Sequence, residues 1–150
     1  MYLRGIVVRL KTGAARYAGT DDSLYLGVSG TAGGREFPFD VQWFDDAQRG
    51  SDEKYAFGEV WDQPALAGAR LPRMAATDWN DPKLSYVGFA GIDRVYLRKQ
   101  AGRAGDDAYQ LDLIEVTLYG DTGQKRTFRS TTALWLGLRY GLQVWIPEIG

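Results

Sequence analysis

The side chains able to do chemistry in this sequence are almost all carboxylates. The chain has 150 residues and contains neither cysteine nor histidine. Disulfides, thiolate metal sites and cysteine nucleophiles are thereby excluded. So are a Ser-His-Asp triad, a His-ligated zinc and the commonest general base. What remains open is a pair of acids for glycoside hydrolysis, or a hard cation held by oxygen such as calcium. The acids gather in turns: Asp21-Asp22 after Gly19-Thr20, Asp45-Asp46, Asp52-Glu53 after Ser51, and Asp106-Asp107 ahead of Asp112 and Glu115. No spacing among Asp106, Asp107, Asp112 and Glu115 demands a hydrolase. Acidic turns brought side by side would repel each other unless a cation lay between them. The plainer alternative is a solvated rim in which Asp21 satisfies the amides of its own turn.

The elements that must position these turns follow a period of two. Ile6, Val8 and Leu10 alternate with Val7, Arg9 and Lys11, the pattern of a half-buried strand. Leu24–Val28, Phe37–Val41 and Tyr55–Phe57 supply three more rows, and Ile92–Lys99, Tyr109–Leu118, Lys125–Arg129 and Tyr140–Ile146 another four. Pro38 cannot donate to a ladder, so its strand is expected at an edge or a bulge. Glycine-rich turns separate the rows, and Gly120-Asp121-Thr122-Gly123 reads as a hairpin loop. Pro64–Arg70 could make one short helical turn. Otherwise residues 61–91, with Pro64, Pro72 and Pro82, read as an irregular insertion, which in a compact domain is usually functional or poorly ordered. The expectation is an all-β chain, an antiparallel β-sandwich of about eight strands in two four-stranded sheets.

Three segments in order resemble the PLAT/LH2 domain, a β-sandwich module of lipoxygenases, pancreatic-type lipases, bacterial α-toxin phospholipases and polycystins. The first is Val8–Gly13 followed by Gly19-Thr20-Asp21-Asp22-Ser23-Leu24-Tyr25-Leu26. The second is Arg49-Gly50-Ser51-Asp52-Glu53-Lys54-Tyr55-Ala56-Phe57. The third runs from Tyr109-Gln110-Leu111-Asp112 to Val116, then Thr122-Gly123, Thr127-Phe128 and Trp135-Leu136. Tyr109 stands where the family usually has Trp, Leu113 where it has Arg, and Ser23 where it has Asn or Asp. The segment 61–91 is longer than the family's corresponding connection. The likeness spans nearly the whole chain and implies one PLAT-like domain over residues 1–150.

The resemblance also implies calcium held by loops at one end of the sandwich. The ligands would be Gly19, Thr20, Asp21, Asp22, Ser23, Asp52 and Glu53. In family members that bind membranes, exposed aromatics on such loops act as anchors. That makes Trp79, in the polar run Asp78-Trp79-Asn80-Asp81-Pro82, a candidate contact for membrane lipid or a protein partner. The alternative is a Trp79 that folds back to cap the sandwich. Trp43, Trp61, Trp135 and Trp145 are expected mostly in the core or at sheet edges. Arg94, Arg98, Lys99 and Arg103 read as solvated surface, with Lys99 on the face opposite Arg94 and Arg98.

The functional expectation is a soluble, non-catalytic binding or adaptor module, docking with calcium's help on membrane lipid or on a protein. The competing readings are a calcium-independent structural or assembly domain and, behind it, a carbohydrate-active enzyme. Lys and Arg number 18 against 19 Asp and Glu, a net charge of −1. No long-range field draws such a molecule to nucleic acid. The start Met1-Tyr2-Leu3-Arg4-Gly5 shows no signal peptide and no apolar run is long enough to span a membrane. A cytoplasmic location, with peripheral membrane association or unconventional export, is the corresponding expectation.

Overall fold

The computed structural model describes residues 1–39, 47–70, 81–84, 86–100 and 107–150. The alternating rows become strands β1 (Leu3–Thr12), β2 (Leu24–Gly30), β3 (Gly33–Pro38), β4 (Asp52–Gly58), β5 (Ile92–Lys99), β6 (Tyr109–Gly120) and β7 (Lys125–Ser130). Three short ones follow, β8 (Leu134–Leu136), β9 (Gln143–Trp145) and β10 (Glu148–Ile149). They form two antiparallel sheets. The larger has the order β10-β7-β6-β1-β4 with β8 added on β6, six strands in all, and the smaller is β3-β2-β5-β9. The even split expected from sequence is thus corrected to six and four. The additions are β8 and β10, of three and two residues, too short for alternation to reveal them.

The sheets close on a core that takes one face of each. Ile6, Val8 and Leu10 of β1 and Ile114, Val116 and Leu118 of β6 are buried, as are Leu26 and Val28 of β2 and Val95 and Leu97 of β5. An aromatic group ties the sheets together: Phe37 of β3 lies 5.7 Å, centroid to centroid, from Phe57 of β4, and Phe39 sits between Phe57 and Tyr55. Pro38 lies on an edge strand, as its missing donor requires. The β6–β7 hairpin closes through Gly120–Asp121–Thr122–Gly123, with Gly123 at a φ of +86° that favours glycine. A 3-10 turn over Gln63–Leu66 matches the expected short helix. Past it, Arg70 docks on the open edge of β4, donating to Lys54 O and accepting from the Ala56 amide. Among the described residues no helix is long and apolar enough to cross a membrane.

Candidate functional site

Antiparallel pairing collects one set of loops at a single pole. Here β1 ends at Thr12, β5 ends at Lys99 and β8 ends at Leu136, while β2, β4, β6 and β9 begin. The Thr20–Ser23 turn and the Ser51–Glu53 turn therefore meet at the same end of the molecule. The Thr20 amide donates to Ala47 O at 3.1 Å, Gly50 donates to Gly13 O, and Thr12 donates to Ser51 O. Gly19 makes this closeness possible. A Cβ there would stand 2.7 Å from the Arg49 nitrogen and 2.8 Å from Ala47 O, so only glycine lets the two backbones approach.

Asp107, at the entrance to β6, holds the Thr20–Ser23 turn in place. Its carbonyl accepts the Thr20 hydroxyl at 2.6 Å, and its Oδ2 accepts the Asp21 amide at 2.7 Å. The Thr20 hydroxyl oxygen also receives the Asp22 amide at 3.1 Å. Asp22 points inward. Its Oδ2 accepts the Asp107 amide at 3.3 Å and the Lys99 ammonium at 2.8 Å.

Lys99 corrects the reading of its strand's basic run as solvated surface. The side chain is 0% exposed, on the same inward phase of β5 as Val95 and Leu97. Its ammonium donates to Asp22 and, at 3.1 Å, to the Gln100 carbonyl. A buried ammonium persists only where such acceptors replace its water. Arg94 and Arg98 do take the opposite face. Arg98 pairs with Glu36, and Arg94 lies 4.9 Å over the Trp145 ring.

The remaining expected ligands turn elsewhere. Asp52 forms a forked pair with Arg9 at 3.0 and 2.8 Å, which holds its carboxyl below the usual range. Glu53 accepts Arg70 at 2.8 Å. Asp21 is exposed. The acids considered for hydrolysis also diverge, with Asp107 on the Thr20 turn, Asp112 facing Lys11 and Glu115 facing Arg129. Asp45, Asp46, Asp78, Trp79, Asn80, Trp43, Arg103 and Asp106 lie outside the described residues. Asp81 and Pro82, just past Trp79 in sequence, pack against Gly58 at the end of β4 away from Asp52.

Sequence reasoning missed the apolar part of this pole. Tyr17 is 73% exposed, with Arg16 stacked 5.0 Å over its ring. Its φ of +64° is a left-handed conformation that an aromatic residue rarely adopts. Leu138 and Tyr140 are 57% and 54% exposed in the turn between β8 and β9, and Trp135 stacks on the Tyr140 ring at 6.1 Å. This turn abuts the acidic loop, because the Lys99 amide donates to Leu142 O while the next amide, Gln100, donates to Ser23 O. Arg139 on this turn, and Arg16 and Arg49 on the other loops of the pole, are exposed. Trp61 and Trp145, expected in the core or at edges, are 50% and 62% exposed, Trp145 on the edge strand β9 and Trp61 edge-on to Tyr119.

This arrangement of sheets and loops has close counterparts among solved structures. It matches an alpha-toxin from Clostridium absonum with a TM-score of 0.62 at 18% identity, over 96% of this chain and 31% of that one. It also matches coral 8R-lipoxygenase, with a TM-score of 0.58 at 19% identity, over 96% of this chain and 17% of that one. The chain has the PLAT/LH2 fold. An alpha-toxin from an avian strain of Clostridium perfringens agrees, with a TM-score of 0.59 at 20% identity over 99% of this chain and 30% of the toxin. The chain thus spans less than a third of the length of these PLAT-bearing proteins. No family profile and no curated protein matches the sequence.

The coral enzyme is described as calcium-activated through a C2-like domain, so the donor set here can be tested against that ion. Calcium takes six to eight oxygens, several of them from carboxylates. Asp22, Asp52 and Glu53 each already face a basic side chain, and among the described residues no three acids converge to hold a metal. Among the expected ligands that are described, Asp21 is the one carboxylate without a cationic partner, with the Asp107 carboxylate beside it on the Asp21 amide. Among the described residues, this donor set does not fit calcium unless Lys99, Arg9 or Arg70 withdraws.

Proposed function

We propose that this PLAT-fold chain is a docking module that rests its loop pole on an anionic lipid surface and performs no chemistry of its own. The observation that carries this reading is the exposure of Tyr17, Leu138 and Tyr140 on the loops of one pole, which also expose Arg16, Arg49 and Arg139. Aromatic side chains settle at the boundary between headgroups and acyl chains, where body and hydroxyl find different surroundings. Guanidiniums beside them meet lipid phosphates and anionic headgroups. The likeness to PLAT/LH2 modules supports the same end of the sandwich as the docking end. Calcium assistance, by Gly19, Thr20, Asp21, Asp22, Ser23, Asp52 and Glu53, was implied by that likeness, but no step of the docking runs through the ion. Trp79, the other expected contact, lies outside the described residues and carries no part of this reading.

Sedimentation with vesicles of phosphatidylcholine and phosphatidylserine tests it. Replacing Tyr17, Leu138 and Tyr140 together by Ser is expected to weaken binding at least about tenfold, since burying even part of one such side chain is worth about 1.4 kcal/mol. Tyr2 and Tyr86, exposed and in edge contact at the opposite pole, serve as the control. Changing them to Ser should leave binding as it was. A triple variant that sediments like the parent, or a loss confined to the Tyr2 and Tyr86 variant, removes the loop pole from the account. A parent chain that ignores vesicles altogether favours the protein-partner alternative.

A further inference from the structure

We infer that the Lys99 ammonium is the resident cation of the loop pole, holding its acidic turn in place from inside the chain so that the pole is built without calcium. The docking half of this statement rests on the function proposed above; the structural half does not.

A solvated acidic rim has no use for a fully buried lysine. Lysine is among the residues least often found inside, and burial strips its ammonium of water. Here the ammonium sits where β5 ends and bonds Asp22 Oδ2 at 2.8 Å and Gln100 O at 3.1 Å. Asp22 Oδ2 in turn receives the Asp107 amide, while Asp107 receives the Thr20 hydroxyl and the Asp21 amide. One fixed positive charge thus ties the Thr20–Ser23 turn to the end of β5 and to the entrance of β6. The backbone of Lys99 extends the tie, donating to Leu142 O at the end of the turn that displays Leu138 and Tyr140. Linking acidic and apolar loops by a central cation is the service a bound divalent ion could provide. A tethered ammonium provides it at no loss of ligand freedom and at any calcium concentration.

Thermal unfolding of the whole chain after chelator treatment tests the inference. The wild-type midpoint is expected to stay within about 1 °C when calcium is added, because a ligand that binds only the folded state must raise it. A saturable rise overturns the proposal. Lys99→Met keeps the length of the side chain and removes its charge, leaving Asp22 uncompensated. Its midpoint should fall by on the order of 5–10 °C, and calcium should restore part of the loss. A Lys99→Met chain that melts with the wild type, with and without calcium, overturns the proposal. Should that variant not fold, Asp22→Asn decides instead: a fall in its midpoint supports the pair, and an unchanged midpoint overturns it. For docking, the vesicle-bound fraction of wild type should be the same in chelator and in calcium. A chain that binds no vesicles removes the proposed function while leaving the melting results to judge Lys99.

Discussion

Glu36 occupies the centre of a small polar cluster on the outer face of the smaller sheet. It accepts Arg98 through two bonds of 2.8 Å and the Tyr96 hydroxyl at 2.9 Å, and Arg98 also lies over the Tyr25 ring. The Arg98 bond outweighs partial burial and holds the Glu36 carboxyl below its ordinary value of 4.5. A carboxylate lowered in the folded state adds stability above its unfolded value, and that contribution is lost as pH falls through the folded one. Acid unfolding should therefore steepen below about pH 4.5 in the wild type, and Glu36→Gln should flatten that limb in a melting series against pH. Burial and the Glu36 bond push the Tyr96 phenol up to about 12. The sign reverses for a raised phenol: its contribution is complete below the ordinary value of 10.0 and disappears between there and about 12. Tyrosinate absorbance in alkali should show Tyr96 titrating well above the ordinary phenol value of 10.0. At this scale the sequence disclosed residue types but not their roles. Lys99 was set on the right face by alternation with Arg98, yet charge argued for solvent. The phase shared with Val95 and Leu97 was the signal that it points inward.

Among the elements, β3 and β4 carry the joint between the sheets. Phe37 and Phe57, both 0% exposed, pack across it from different sheets. Phe57→Ala should cost about 3–5 kcal/mol in urea unfolding, the range for removing a large buried ring. A loss below about 1 kcal/mol would mean the sheets are held elsewhere. The longer strands were legible because each keeps a strict period of two over at least three inward positions, as in Ile6, Val8 and Leu10. The end of the chain was not. Tyr140–Ile146 reads as one strand, but only Gln143–Trp145 pairs with β5. The Gly137 amide instead donates to Gly141 O, and Tyr140 to Gly137 O, closing a turn that lifts Leu138 and Tyr140 off the sheet. Apolar residues raised on a turn keep no period, so nothing marked them as surface. The placement of the Thr20 turn beside Ser51 was legible through the resemblance to PLAT/LH2, and the pairing of β1 with β4 brings the end of one and the start of the other together. Where the carboxylates of those turns would point was not, since Arg9 reaches Asp52 from β1 and Arg70 reaches Glu53 from the segment past the 3-10 turn.

As a whole the molecule is nearly neutral, so attraction to a charged surface must be local rather than steered from afar. Arg16 and Arg139 form no ion pair among the described residues. Each such cation near an anionic membrane is worth roughly 1 kcal/mol. Replacing both by Ser should weaken binding to phosphatidylserine-containing vesicles by on the order of tenfold and reduce its salt dependence. Equal binding by the variant at low salt would show that these arginines play no part.

The left-handed backbone of Tyr17 has a practical consequence. A bulky side chain in that region costs on the order of 1–3 kcal/mol, and Asn or Gly there would relieve it. Selection of variants for heat tolerance alone should therefore discard Tyr17 early and yield hardier chains that hold vesicles less well. Selection for adhesion should keep it at the expense of endurance.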